Sequence, residues 1–230
     1  MLTAGYFNFT TTKNMGSMTE SKNRQRCIKD SGFLPSSLVM MEQVQGAEII
    51  FISNTDKRDK CVSGADGLVV DKTDNVDVIL GVLTADCIPL FGVNRKTGSY
   101  GIFHAGWRGI NSGIVEKAVE SLGKPVTDLF FAIGPHICGD CYKVGADFEK
   151  IFAAGYKNGN LSLRDEVLSR LTKSGLKPEK VDCVSLKNFC TAHNPALFYS
   201  HRRGEKNKRM LSVITKIPLF GKEGLGEIFQ

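Results

Sequence analysis

The sequence predicts an α/β (α+β) fold, a single-domain layered sandwich over residues 1–230. Three observations carry this. Short runs rich in Val, Ile and Leu recur along the chain, two segments show the apolar stripe of an amphipathic helix, and the two kinds of element mix without the strict alternation of a doubly wound sheet. The 230 residues fit one domain of ordinary size. A 42% hydrophobic and 23% charged composition excludes a disordered, collagenous or coiled-coil chain.

Taken in order, Tyr6–Thr12 alternates as a first strand, and Ser21–Asp30 suits a short helix that ends before Gly32. Ser37–Gln43 leads into Val44, and Glu48–Ser53 is β-rich. Gly67–Val70 and Val76–Thr84 look like buried strands. Ile88–Val93 and Ser99–His104 are partners across a hairpin turn at Asn94–Gly98. Gly106–Gly109 opens a helix whose residues Ile110, Ile114, Val115, Ala118, Val119 and Leu122 share one stripe. Gly123 and Pro125 end it. Leu129–Ile133 is a strand closed by Gly134-Pro135. Val144–Ala154 and Ser162–Ser174 read as helices, the second with Leu163, Val167, Leu168 and Leu171 on one face. Val181–Val184 is short and β-like. Leu197–Ser200 and Met210–Ile214 make a final strand pair around a basic loop. No repeat or linker divides the chain.

Seven cysteines cannot all pair within one chain. Residues 1–16 lack the apolar run of a signal peptide, and no segment reaches the ~18 apolar residues of a membrane span. The expectation is a reduced, cytoplasmic protein with no membrane partner. The net charge of +6 is a mild excess that suits a small anion. Part of it lies in His201–Arg209, which reads either as a solvated loop or as an anion site, because arginine forks match phosphate oxygens. Nucleic acid is not expected, since aromatic interleaving and a recognised binding motif are missing.

Three segments set unusual side chains at strand ends. In Thr84-Ala85-Asp86-Cys87-Ile88-Pro89-Leu90 a polar Asp-Cys pair interrupts an apolar region. In His104-Ala105-Gly106-Trp107-Arg108-Gly109 a strand runs through a glycine into a helix start, a geometry that presents free N–H groups to an anion. Cys87 and His104 fall at the outer ends of the two hairpin strands, so they can meet. Such a pair is either two zinc ligands or a thiol nucleophile with its imidazole. The third segment, Ile133–Gly145, holds Cys138-x-x-Cys141. Without a second Cys-x-x-Cys it reads as a glycine-rich loop lining a pocket rather than as a redox motif.

These motifs, with Ile133-Gly134-Pro135, Cys141-Tyr142-Lys143-Val144-Gly145, Cys190-Thr191 and Phe198–Gly204, resemble the bacterial laccase-domain or multicopper polyphenol oxidase family. The resemblance runs from about Phe9 to the end of the chain. That family is understood as zinc-dependent purine nucleoside phosphorylases with adenosine deaminase and methylthioadenosine phosphorylase side activities, and it has also been called a peptidoglycan editing factor. The resemblance implies an α/β/β/α sandwich shared with cytotoxic necrotising factor toxins. It implies a zinc held by Cys87, His104 and the residue at position 45, and phosphate bound by Arg108 with Arg202 or Arg203. Asp86 would orient a ligand, handle a proton or make a structural hydrogen bond at the corner, and nucleoside and phosphate are the expected partners of a monomer or homodimer. Position 45 departs from the family: Gln43-Val44-Gln45-Gly46 stands where the family has Gln-Val-His-Gly, and an amide is a weak zinc ligand beside imidazole. His136 is a conceivable substitute ligand; a plain pocket or surface histidine is the simpler reading. The departure keeps two alternatives open, a metal-independent Cys87–His104 thiol enzyme and a nucleoside-binding protein with a decayed metal site. Four histidines, His104, His136, His193 and His201, are too few for a multicopper centre, so copper is not expected.

Overall fold

A computed structural model describes residues 5–53, 60–71, 78–183 and 189–217. The start of the predicted Val76–Thr84 strand, Val184 and residues 1–4 lie outside the described residues. In chain order the elements are β1 (Tyr6–Thr10), α1 (Ser21–Asp30), β2 (Leu38–Glu42), β3 (Ile49–Ile52), β4 (Lys60–Ser63), β5 (Gly67–Val70), β6 (Ile79–Thr84), β7 (Ile88–Asn94) and β8 (Tyr100–Ala105). They continue with α2 (Trp107–Asn111), α3 (Ile114–Ser121), β9 (Leu129–Ile133), β10 (Tyr156–Lys157), β11 (Asn160–Leu161), α4 (Leu163–Lys173), β12 (Val181–Cys183) and β13 (Met210–Lys216).

Among the described residues, two large mixed sheets result, beside a two-stranded antiparallel ribbon of β10 and β11. One has the order β1-β13-β6-β2-β4, the other β12-β9-β7-β8-β5-β3. The period-2 alternation of the strands explains how they stack. Val39 and Met41 of β2 and Leu80 and Val82 of β6 meet Leu68, Val70, Phe91, Val93, Tyr100 and Ile102 of the second sheet in one buried cluster. The alternate residues Leu38, Met40 and Ile79 point the other way and receive Cys27 and Ile28 of α1. On the far face of the second sheet, Ile88, Leu90 and Phe103 pack under Ile114, Val115 and Ala118 of α3 and Val167 and Leu171 of α4. The layers are therefore α/β/β/α. No helix among the described residues is long and apolar enough to cross a membrane.

The structure departs from the sequence expectation at several places. The helix expected to run on to Leu122 is broken between α2 and α3, because Gly113 takes φ +90° and resets the chain direction. Val144–Ala154 is no α-helix: only Ala146–Lys150 forms a 3-10 turn. Extended pairing claims the backbone on either side, with the Val144 N–H donating to the Gly159 carbonyl and the Leu161 N–H to Tyr142. Leu197–Ser200 is not a strand, since β13 is already flanked by β1 and β6. The short β4, which no hydrophobic run announces, pairs parallel with β2.

Between the sheets, the Val78 carbonyl accepts from both the Tyr100 hydroxyl (2.8 Å) and the Thr215 hydroxyl (3.0 Å). Either donor alone keeps that buried oxygen satisfied. Tyr100→Phe and Thr215→Val should each cost roughly 0.5–1.5 kcal/mol by urea unfolding. The double variant should lose about 1 kcal/mol more than the sum, because the carbonyl loses both donors.

Candidate active site

Strand register sets the site. Pro89 lies opposite His104 in the β7–β8 pair, which puts Cys87 just beyond the end of the ladder and beside the imidazole. The approach is close: a Cβ on Gly106 would stand 3.0 Å from the Cys87 sulfur and 3.6 Å from His104 Cε1. Any side chain where the chain turns into α2 would therefore crowd the Cys87 sulfur. Glycine is required at 109, where a Cβ would sit 2.7 Å from the Gly46 backbone carbonyl of the loop carrying Gln45.

His104 is 5% exposed, and its Nδ1 is 2.8 Å from Oδ1 of the fully buried Asp66. Asp66 in turn accepts from the backbone N–H groups of Val44 (3.2 Å), Gln45 (3.1 Å) and Gly46 (2.7 Å). Burial by itself would raise the Asp66 carboxyl; the bonds from His104 and from these N–H groups reverse that and hold it below its ordinary value. Burial would likewise depress His104, but Cys87 on one side and Asp66 on the other raise it to about 9. Both neighbours thus favour the protonated form of the ring.

Arg108 and Arg202 stand at the exposed mouth. The Arg108 guanidinium lies 4.3 Å over the Trp107 ring, and its Nη1 donates to Gln45 Oε1 at 2.7 Å. Arg202 lies 4.8 Å over the Tyr142 ring. Burial first, then the facing Cys87, push the Tyr142 hydroxyl up to about 12, against the pull of Arg202 and Arg108.

Two expected site residues have other work. Asp86 adopts φ +89° where the chain crosses from the first sheet to the second. Its Oδ1 accepts from the Thr191 hydroxyl (2.6 Å) and its Oδ2 from the Arg202 N–H (2.7 Å). Both oxygens are engaged, so it positions its neighbours. Arg203 donates to the carbonyls of Thr191, Ala192 and Phe198 and to Glu205. This network turns its guanidinium into the loop and away from a phosphate role. His136 is buried, not on the surface. Its Nδ1 sits 2.8 Å from the Gly134 carbonyl and its Nε2 has no partner, and burial lowers it to about 4. It does not join Cys87 and His104.

Elsewhere, Cys138, Cys141, Cys190 and His193 place four donor atoms within 4.8 Å of one another. Among the described residues this is the one group of three or more His, Cys, Asp or Glu side chains arranged to hold a metal ion. Burial would raise Cys190, but backbone N–H groups of Cys138, His193 and Ala192 hold it below its ordinary value. Burial and the neighbouring thiols push Cys141 up to about 12.

A family model described as multi-copper polyphenol oxidoreductase laccase matches residues 5–216. The chain belongs to this family. The laccase-family chain is 27% identical over 201 residues to the Escherichia coli protein named purine nucleoside phosphorylase YfiH, covering 84% of this chain and 79% of the relative. It is 30% identical over 141 residues to a Pseudomonas aeruginosa protein also named purine nucleoside phosphorylase, a match spanning 58% of each chain. The crystal structure of YlmD from Geobacillus stearothermophilus superposes with a TM-score of 0.80 at 27% identity, over 94% of this chain and 93% of that one.

Within this laccase-family chain the Cys87 corner does not fit a three-ligand zinc. It offers one thiol and one imidazole. The third position is a neutral amide whose oxygen already accepts from Arg108. The sequence missed Asp66, Tyr142 and the Cys190–His193 half of the four-donor group. Each left a trace: a carboxylate in the apolar run Ala65-Asp66-Gly67-Leu68, a tyrosine beside Cys141, and a Cys-x-x-His spacing late in the chain.

Asp66→Asn should lower the His104 pKa by roughly 1–3 units from about 9, read from its ring-proton NMR titration. The same change weakens a proton-linked contribution to stability that is full below the unfolded value of 6.5 and fades as pH rises through 9. Glu205 shows the opposite sign. Burial would raise it, but Lys13, the Ser200 N–H and Arg203 hold it down at about 2. Its contribution is present above pH 4.5 and lost as pH falls towards 2. Glu205→Gln should therefore lower Tm at pH 7 and make much less difference near pH 2.

Proposed function

We infer that the chain catalyses phosphorolysis of purine nucleosides at the Cys87–His104 corner. The observation that carries the reading is a buried imidazole, bonded to Asp66 and set beside Cys87, with the exposed guanidiniums of Arg108 and Arg202 nearby. The names of the relatives give the reaction class. A phosphate oxygen attacks ribose C1′, the C1′–N9 bond breaks, and the purine leaves with the electron pair and needs a proton. Arg108 and Arg202 bind the phosphate. His104 supplies the proton to the leaving purine. Asp86, through Thr191 and the Arg202 N–H, positions the phosphate side of the pocket. Seven free thiols suit a reducing compartment, in keeping with a cytoplasmic enzyme.

Incubation with inosine and phosphate should yield hypoxanthine and ribose 1-phosphate, followed by chromatography. Folded protein that releases no base from inosine, adenosine or methylthioadenosine overturns the reading. Adenosine separates the two side activities, since phosphorolysis gives adenine and deamination gives inosine. Arg108→Ala should raise KM for phosphate at least ~10-fold, whereas His104→Gln should lower kcat by about 10²–10⁴-fold. Gln45→His completes a three-ligand corner, so it should bind one more zinc per chain than the parent by metal analysis.

A further inference from the structure

Cys138, Cys141, Cys190 and His193 lie outside the catalytic corner, and the proposed reaction makes no use of them. They come from two segments that each present donors three residues apart, Cys138-x-x-Cys141 and Cys190-x-x-His193. Such paired knuckles are the sequence form of a closed tetrahedral zinc site. We propose that these four side chains bind one zinc ion and that the ion is a structural clamp on the two segments that flank the catalytic corner.

The geometry is close to what the ion requires. Zinc–sulfur bonds of about 2.3 Å set tetrahedral ligands about 3.8 Å apart. Here Cys141 Sγ is 3.1 Å from His193 Nε2 and Cys138 Sγ is 3.7 Å from His193 Nδ1, with every donor within 4.8 Å of the others. A contraction of about 1 Å at the widest pair, with one imidazole nitrogen turned to the ion, closes the set. The backbone N–H of Cys138 donates to Cys190 Sγ at 3.3 Å, a bond that fixes the sulfur before metal arrives. Three sulfurs and an imidazole select a soft or borderline ion, and four protein ligands leave no position for water or substrate. Cys138 and Cys190 are buried, while His193 is exposed beside a cavity of about 660 Å³ that Cys138, Gly139 and Asp140 also line. Entry from that side needs no opening of the core.

The surrounding bonds show what the ion would clamp. Tyr142 follows Cys141 directly and carries the Arg202 guanidinium on its ring. Thr191 follows Cys190 directly; its hydroxyl holds Asp86, and its carbonyl is held by Arg203. The Ile137 N–H donates to the Asp86 carbonyl and the Thr191 N–H to the His136 carbonyl. Both knuckles therefore adjoin groups that hold Asp86 and Arg202 in place beside the catalytic corner.

The test is metal analysis of untagged full-length protein grown with zinc and purified without chelator. The expected result is one zinc per chain, retained in Cys87→Ser and lost in Cys141→Ser and Cys190→Ser. His193→Cys, which preserves a four-ligand set, should retain it. Should the serine variants fail to fold, cobalt(II) added to the chelated parent reports on the same site. Intense thiolate-to-metal absorption, abolished by restoring zinc and unchanged in Cys87→Ser, supports the clamp. Chelation should also lower Tm whether or not the protein turns over any nucleoside. Zinc that disappears with Cys87→Ser and persists in Cys141→Ser overturns the proposal. So does metal-free protein in which Cys138 and Cys141 are joined as a disulfide.

Discussion

A carboxylate cannot be buried without donors, and the site is built around the way Asp66 finds them. Leaving such a group unpaired in a protein interior costs several kcal/mol. The residue is fully buried at the head of β5, and its partners come from two other places in the chain. Three N–H groups arrive from the loop after β2, and an imidazole arrives from the end of β8. One ion thereby fixes the loop that carries Gln45, orients the His104 ring and selects which ring nitrogen faces Cys87. Because the charge is internal, salt screens it little. Together with Cys87 on the other side of the ring, that charge favours the protonated form of His104.

The second constraint is topological. β6 and β7 belong to different sheets, so the chain must change layer within Ala85-Asp86-Cys87. The left-handed backbone at Asp86 makes that crossing, at a cost of about 1–3 kcal/mol for a residue other than glycine. Hydrogen bonds from Thr191 and the Arg202 N–H offset it. A single strained residue thus delivers Cys87 to the imidazole and anchors the distant loop that brings Arg202. Arg203 and Glu205 stiffen that loop from inside, which explains why adjacent arginines have different duties.

The sequence showed both sheets' principal strands, α1, α4 and the Cys87–His104 meeting, because these depend on period-2 alternation and a hairpin of known length. Its failures share a cause. Val144–Ala154 has helical spacing of apolar residues, yet strand-like pairing at its start takes the Val144 N–H for the Gly159 carbonyl and the adjacent Tyr142 carbonyl for the Leu161 N–H. Arg202 and Arg203 look equivalent in a basic run; only the tertiary partners tell them apart. Cys138-x-x-Cys141 looked incomplete because its counterpart lies 49 residues further on and uses histidine for its second donor. Local pattern was legible, and long-range pairing of polar groups was not.

The distance in role between the two cysteine sites changes how metal in this protein has to be interpreted. At residue 45, where the resemblance implies an imidazole, the chain has an amide, and the amide oxygen has found Arg108. That bond does two things at once. It turns the oxygen to a guanidinium in place of a metal, and it holds the guanidinium at the rim where an anion would bind. Restoring an imidazole there therefore trades a hydrogen bond that positions Arg108 for a ligand that could bind zinc. Gain of metal at the corner and loss of phosphate affinity should come together. A total zinc count cannot reveal that exchange, because the four-donor group can hold an ion whatever residue 45 is. The difference in zinc between the parent and Gln45→His, set beside the change in phosphate KM, isolates it.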